Sequence, residues 1–295
     1  MKKCFFLILI LFFSFVFGAP YQEFFDDFNY TNIEDTLLAQ HGWSAINGSN
    51  APPSGASYSR DLISFADAQP GTNNRIMVLK AKTDGNVKNM ELSRLETPPV
   101  FREGTYAAQV FFDHALRKTK DGNIQTFYLI SPLSYPIDSL YSECDIEYLP
   151  YNVWDKDNNM RSSVYFSTWE SYQTSPFRPD YALDSQVMNL WGWHILFMRI
   201  SDGRVSYSLD KSDEATVVHE YSPQGSTVYP ESFMQLAFAN WITSTSDEFS
   251  VWRESEFKVD WVYHAADTTL DFFEIRRRVN ALRKSNISFL NDLKK

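Results

Sequence analysis

Three carboxylates alternate with other residues in one short stretch of the chain. Glu143, Asp145 and Glu147 stand at every second position of the segment 141–149, which reads YSECDIEYL. In a β-strand successive side chains point to opposite faces, so the three acids would share one face and Cys144 would point into a core as a small hydrophobe. Neighbouring carboxylates repel one another and are costly to bury. The row therefore indicates a site that uses its acids.

The chemistry that suits such a row is hydrolysis of a glycosidic bond with retention of configuration. One glutamate would stay ionised as the nucleophile, while the other would be held protonated as a general acid and would then act as a base. The central aspartate could share a proton with the nucleophile and tune both pKa values. By composition alone, the pattern E-x-D-x-E arises by chance in roughly one chain of this length in fifteen. The alternative interpretation is an exposed sheet edge.

The elements that must position these acids are β-strands, because most of the chain after residue 75 alternates apolar and polar residues. The Asp202-Gly203 pair predicts a hairpin turn between two of the runs. Many short strands with few helical signals predict one all-β domain over residues 19–266, as an antiparallel sandwich or barrel. The predicted strands are 75–82, 90–96, 104–113, 123–131, 143–149, 162–168, 194–200, 204–209, 233–239 and 256–263.

Residues 267–295 break this pattern and predict a C-terminal amphipathic helix, with Asp267 or Thr268 as the N-cap. Residues 271–295 hold seven basic and three acidic side chains. We expect this helix to pack on the acidic body of its own chain, the alternatives being an anionic membrane or a partner. Its apolar residues recur at Phe272, Ile275, Val279 and Leu282.

Residues 1–18 predict a cleaved signal peptide. Lys2 and Lys3 precede an apolar run over 5–17, and cleavage is expected before Ala19. The run is shorter than the ~20 residues that a membrane-spanning helix needs, so we expect no stable span after cleavage, an uncleaved anchor being the alternative. The protein should be secreted, extracellular or associated with a cell wall. Its mature part then holds one cysteine, Cys144, and no internal disulfide.

The net charge of −10 and the pI near 5.0 argue against nucleic acid as a partner. Phosphate binding requires a basic surface, which this composition does not supply. At 44% hydrophobic residues the chain can bury a sizeable core. We expect a monomer.

Several further segments resemble glycoside hydrolase family 16, the laminarinase and lichenase group, in the same order along the chain. ECDIEYL resembles the catalytic strand of that family. Residues 91–94 (ELSR) and 104–110 (GTYAAQV) are similar to its arginine strand and to the glycine-led strand that follows. Residues 193–197, 205–210 and 257–263 are similar to three later segments. The resemblance covers about residues 24–264.

The resemblance implies a concanavalin-like jelly-roll β-sandwich of two antiparallel sheets with an active cleft. It implies Glu143 as nucleophile, Asp145 as its assisting acid and Glu147 as general acid/base. Arg94 matches a position expected to contact sugar hydroxyls, and Tyr141 matches the position of a tryptophan platform. Asp260 matches a position that binds structural calcium in some members, and oxygen ligands suit that ion. No cofactor is required otherwise.

Aromatic side chains are the other expected feature of a sugar cleft, since pyranose rings stack on aromatic planes. Trp169, Trp193 and Trp241 lie near predicted strand ends and are candidates, with core packing as the alternative for each. His194 begins an apolar strand and is expected to be structural. The sequence thus predicts a secreted endo-β-glycosidase acting on a β-1,3 or β-1,3/1,4 glucan. The alternatives are a lectin-like binding sandwich and a cell-wall transglycosylase.

Overall fold

The computed structural model of the chain describes residues 19–293, except 70–73, 156, 158, 211–215, 221–227 and 247–249. The expected signal peptide, residues 1–18, lies outside the described residues and stays a prediction. Among those described, neither α-helix has the length and apolar character needed to span a membrane, at 5 and 13 residues.

Strands dominate the described residues. The α-helices are α1 (Thr36–Gln40) and α2 (Phe272–Lys284). The strands are β1 (Glu23–Asp26), β2 (Ser44–Ala45), β3 (Gly48–Ala51), β4 (Ala56–Tyr58), β5 (Ile63–Asp67), β6 (Arg75–Thr83), β7 (Glu91–Glu96), β8 (Gly104–Phe112), β9 (Asn123–Ile130), β10 (Glu143–Leu149), β11 (Ser163–Thr174), β12 (Phe177–Val187), β13 (Gly192–Ser201), β14 (Arg204–Leu209), β15 (Val217–Glu220), β16 (Gln235–Ile242), β17 (Arg253–Ala266) and β18 (Phe289–Asn291).

The strands form two packed layers, which we call the front sheet and the back sheet. The front sheet has the order β12-β11-β10-β9-β16-β7-β2. The back sheet has the order β15-β14-β13-β8-β17, after which β6 and β1 lie along the far edge of β17. These pairings are all antiparallel. The arrangement is the predicted jelly-roll β-sandwich.

The main core lies between the two sheets and sets which way β10 faces. Cys144 and Ile146 are fully buried there, in one cluster with Val110 of β8 and Met198 of β13. The inward position of Cys144 confirms the predicted alternation. Because these residues point inward, the intervening acids of β10 must point out of the front sheet.

The strands predicted from period-two patterning are confirmed. The predicted ranges 143–149 and 204–209 coincide with β10 and β14, and the others agree within a few residues at most ends. Asp202 and Gly203 both have positive φ, at 54° and 73°, as a two-residue type I′ hairpin turn requires. The strands β1 to β5, β12, β15 and β18 were not predicted.

Helix α2 packs on the outer surface of the back sheet. The predicted N-caps Asp267 and Thr268 are wrong, because the cap is Asp271. Its side chain accepts a hydrogen bond from the backbone of Glu274 at 2.7 Å, and the Glu274 side chain accepts one from the backbone of Asp271 at 2.8 Å. This reciprocal capping box starts the helix one turn later than predicted. Packing on the chain's own body is confirmed by shared burial with Phe25, Phe197 and Trp261.

Two basic residues of α2, Arg278 and Arg283, pair with acids on or beside the back sheet. Arg278 donates to Glu23 of β1, from Nε to Oε2 at 2.9 Å. Arg283 donates from Nε to Asp27 at 2.7 Å and from Nη2 to Asp260 of β17 at 2.8 Å. These two positive charges thus balance acidic residues of the same domain.

Asp260 does not fit the calcium site that the resemblance suggested. Its Oδ1 accepts a hydrogen bond from Asn74 Nδ2 at 2.9 Å and one from the Arg283 guanidinium at 2.8 Å. A guanidinium at this distance repels a metal cation, and calcium requires six to eight oxygen ligands. Among the described residues, no group of three or more His, Cys, Asp or Glu side chains could hold a metal ion. Arg283 supplies the positive charge here.

Replacing Arg283 should therefore destabilise the fold. Arg283→Ala leaves Asp27 and Asp260 without their cation. We expect the free energy of unfolding to fall by about 2 kcal/mol, less than for a fully buried pair because the guanidinium is partly exposed. That corresponds to a Tm lower by about 4–8 °C in calorimetry. Arg277→Ala, at an exposed position of the same helix, should leave Tm unchanged. EDTA should not alter the wild-type Tm. If EDTA lowered it as much as Arg283→Ala does, the assignment of Arg283 as the cation at Asp260 would be contradicted.

Candidate active site

A cleft of about 450 Å³ opens on the outer face of the front sheet. Strands β7, β16, β9, β10 and β11 form its floor, and aromatic side chains form most of its walls. Its lining residues are Pro52, Tyr58, Arg94, Thr126, Tyr128, Ile130, Glu143, Asp145, Glu147, Trp154, Trp169, Tyr172, Phe177, Ala239 and Trp241. The three acids thus lie together in a concave, largely aromatic surface.

Strand β10 is regular and sits between β9 and β11. Glu143 lies opposite Trp169 of β11, and Glu147 lies opposite Thr126 of β9. The register continues along the whole of β10 without a bulge. Glu143, Asp145 and Glu147 therefore face the cleft, as the two-residue period predicts.

Glu143 has partners that stabilise its charged form, although burial outweighs them. The Tyr141 hydroxyl donates a hydrogen bond to Glu143 Oε2. Burial raises the pKa of Glu143 to about 7, against the hydrogen bonds from Tyr141 and Asp145 and the nearby charge of Arg94, which lower it. Of the two glutamates, Glu143 is thus the one with partners that stabilise a carboxylate.

Asp145 is the most enclosed of the three acids, at 5% exposure. Its Oδ2 accepts hydrogen bonds from Ser167 Oγ at 2.5 Å and from Trp169 Nε1 at 3.0 Å. Burial, followed by the charges of Glu143 and Glu147, raises the pKa of Asp145 well above its usual range. These causes favour the protonated form of Asp145, which can share its proton with Glu143.

Glu147 lies in a different surrounding. Within the described part of the chain, its carboxyl group has no hydrogen-bond partner, although it lines the cleft. Burial, followed by the charge of Glu143, raises the pKa of Glu147 to about 8. This raised pKa favours the protonated form near neutral pH, in which the carboxyl group can donate a hydrogen bond to a ligand. The two glutamates thus differ in their hydrogen-bond partners, which stabilise the charged form of Glu143 and are absent from Glu147 among the described residues.

Three of the other predicted binding residues line the cleft. Arg94 makes an ion pair with Glu96 at 2.5 Å, and its guanidinium lies over the Tyr128 ring at 5.5 Å. Trp169 stacks on Tyr181 with ring centroids 4.5 Å apart. Trp241 lines the same cleft. Trp169 also has the unpredicted role of holding Asp145 through its indole N–H.

Two predicted binding residues lie elsewhere. Tyr141 is 2% exposed and cannot offer a ring face to a sugar, because it is packed beneath the cleft beside Glu143. Trp193 lies on the back sheet, 42% exposed, with its ring 5.5 Å from that of Phe111. It shares the strand face of Ile195, which packs under α2, and that face points away from the cleft. His194 bonds Asp210 at 2.9 Å outside the cleft, consistent with a structural role.

Sequence reasoning missed several cleft residues. Thr126 and Tyr128 could have been found, because they follow the two-residue phase of β9 on the face opposite to the buried Phe127. Trp154 lies outside the strands and Phe177 begins the unpredicted β12, so nothing in the sequence pattern placed either beside the acids. The cleft is thus more aromatic than predicted.

Comparison with known proteins connects this chain to one group of folds. No family model matches the chain, and no curated protein matches it. A family 16 endo-glucanase from Bacteroides ovatus has a similar structure, with a TM-score of 0.60 and 14% identity over 81% of this chain and 98% of that one. The β-glucanase of Bacillus licheniformis has a TM-score of 0.55 and 14% identity, over 84% of this chain and 99% of that one. LamAcat of Zobellia galactanivorans has a TM-score of 0.55 and 15% identity, over 83% of this chain and 98% of that one. At these identities the likeness establishes the fold.

Proposed function

We propose that this chain is a retaining endo-β-glycosidase that hydrolyses a β-1,3 or β-1,3/1,4 glucan. The observation that carries the proposal is the contrast between two glutamates on one strand of an aromatic cleft. Burial raises the pKa of both glutamates, but Glu143 accepts hydrogen bonds that favour a carboxylate, whereas Glu147 accepts none among the described residues. Double displacement at an anomeric carbon needs this division of roles.

In the first step, a Glu143 oxygen attacks the anomeric carbon of the sugar as the bond to the glycosidic oxygen breaks. Glu147 donates its proton to that oxygen, so the departing chain leaves with a neutral hydroxyl group. The products are a glycosyl ester on Glu143 and a Glu147 carboxylate. Asp145 stays in place through Ser167 and Trp169.

In the second step, the Glu147 carboxylate takes a proton from water, whose oxygen attacks the same carbon and breaks the ester bond. Glu143 leaves as a carboxylate, and Glu147 is protonated again. The proton on Asp145 stabilises the departing charge of Glu143. A transglycosylase would use the same residues with a sugar hydroxyl in place of water.

A neutral glucan suits the charge of the cleft. Arg94 is the cation among the described lining residues, and Glu96 already neutralises it. The Glu143 carboxylate would repel sulfate or uronate groups, while Trp169, Tyr172 and Trp241 offer aromatic planes for uncharged rings. Two similar structures are named as complexes with laminaritriose and laminaritetraose and with a mixed-linkage glucan product. These names support the choice of glucan.

The test is reducing-sugar release from laminarin, lichenan, barley glucan, agarose, carrageenan and xyloglucan. We expect the exported protein to begin at Ala19, which Edman sequencing would check. We also expect it to be a monomer, which light scattering would check. We expect release from a β-glucan by the wild type and none by Glu143→Gln. If no polymer is cleaved and glucan binding persists in Glu143→Gln, the chain is a binding sandwich.

A further inference from the structure

Tyr141 is held rigidly just before the catalytic strand. Its backbone N–H donates to the carbonyl of Asp138 at 3.1 Å. Its ring packs edge-on against Tyr172, with centroids 5.2 Å apart and an interplanar angle of 77°. The side chain is almost fully buried, and its hydroxyl donates to Glu143 Oε2. This phenol therefore has one fixed orientation, directed at one oxygen of the proposed nucleophile.

The Tyr141 hydroxyl differs from the acids and from Arg94 around Glu143 because it is a neutral hydrogen-bond donor. The acids beside it on β10 raise the energy of the carboxylate when they are charged, and Arg94 on β7 is already paired with Glu96. A neutral phenol stabilises the carboxylate without adding charge to the cleft. The titratable groups that face Glu143 are Tyr141, Asp145, Glu147, Arg94, Tyr128 and Tyr172.

We infer that Tyr141 is a positioning residue for the nucleophile, which fixes the Glu143 carboxylate towards the sugar and favours its ionised form. This inference rests on the proposed function and assigns a role that replaces the expected sugar platform. In the glycosylation step the phenol holds the carboxylate before attack. In the second step it stabilises the negative charge that returns to Glu143 when the ester breaks.

Tyr141→Phe tests the role because it removes the hydroxyl and keeps the ring. Without this donor the carboxylate loses a stabilising partner, so the pKa of Glu143 rises. The acid limb of the kcat/KM profile should therefore move to higher pH by roughly one unit. At the optimum kcat should fall by about tenfold with little change in KM. The matched control is Tyr165→Phe, because Tyr165 pairs with Glu147 across β10 and β11 but its hydroxyl bonds Asn152 instead of an acid. It should leave the acid limb in place.

A second readout does not depend on activity. Carbon-13 NMR of labelled glutamate carboxyl groups in the full chain, assigned with Glu143→Gln, gives the titration of Glu143 directly. A higher midpoint in Tyr141→Phe than in the wild type, with Tm preserved, supports the inference. Equal midpoints, or a Tyr141→Phe profile identical to that of Tyr165→Phe, would overturn it. If no polysaccharide is cleaved, the proposed function fails while this titration still decides the role of Tyr141.

Discussion

Glu143→Gln should lower the kcat for glucan hydrolysis by at least about 10³-fold. The amide keeps the size of the carboxylate and can still accept the hydrogen bond from Tyr141, but it cannot form the glycosyl ester. Fold and glucan binding should therefore be retained while the chemistry stops. Reducing-sugar release, measured beside a binding isotherm for the same glucan, separates these two properties.

The control for this change is Glu220→Gln, at an exposed glutamate on β15 of the back sheet that pairs with Arg204. It makes the same chemical change away from the cleft, and its kcat should equal that of the wild type. Hydrolysis by Glu143→Gln within tenfold of the wild-type rate would be incompatible with a nucleophilic role.

Glu147→Gln should have the second largest effect, and the size of the effect should depend on the leaving group. A sugar leaving group needs the proton of Glu147, so kcat on the polymer should fall by about 10²–10⁴-fold. An aryl glucoside with an acidic phenol leaves without that proton, so the first step should remain fast and the glycosyl-enzyme should accumulate. A burst of phenol followed by slow turnover is the expected kinetic signature.

The pH profile gives an independent check on Glu147. The proton must be present for glycosylation, so wild-type activity should decline as pH rises through the pKa of Glu147, which burial raises to about 8. Glu147→Gln has no proton to lose there, so its residual activity should lack the alkaline limb. Equal losses on both leaving groups, with the alkaline limb retained, would show that another group is the acid.

The position of the three acids could be predicted from the sequence because strand geometry is local. Once 143–149 is a strand, side-chain alternation places Glu143, Asp145 and Glu147 on one face and Cys144 in the core. The β13–β14 hairpin was equally predictable, since Asp202-Gly203 favours the positive φ values that its turn needs.

Contacts between distant strands could not be predicted in this way. Trp193 was misplaced because a strand pattern gives two faces and does not say which one meets the other sheet. Asp260 was misread because its partner, Arg283, lies 23 residues away on a helix whose docking only the tertiary structure shows. Tyr141 was taken for a platform because its burial depends on the loop before β10 and on Tyr172 of β11.

The most direct test of the account is the anomeric configuration of the first product. Proton NMR during hydrolysis of the responsive glucan resolves the α and β reducing ends before they interconvert. Double displacement through Glu143 predicts that the β-anomer appears first and the α-anomer grows later by mutarotation. Initial release of the α-anomer would mean that water attacks directly, and it would contradict the assignment of Glu143 as a nucleophile.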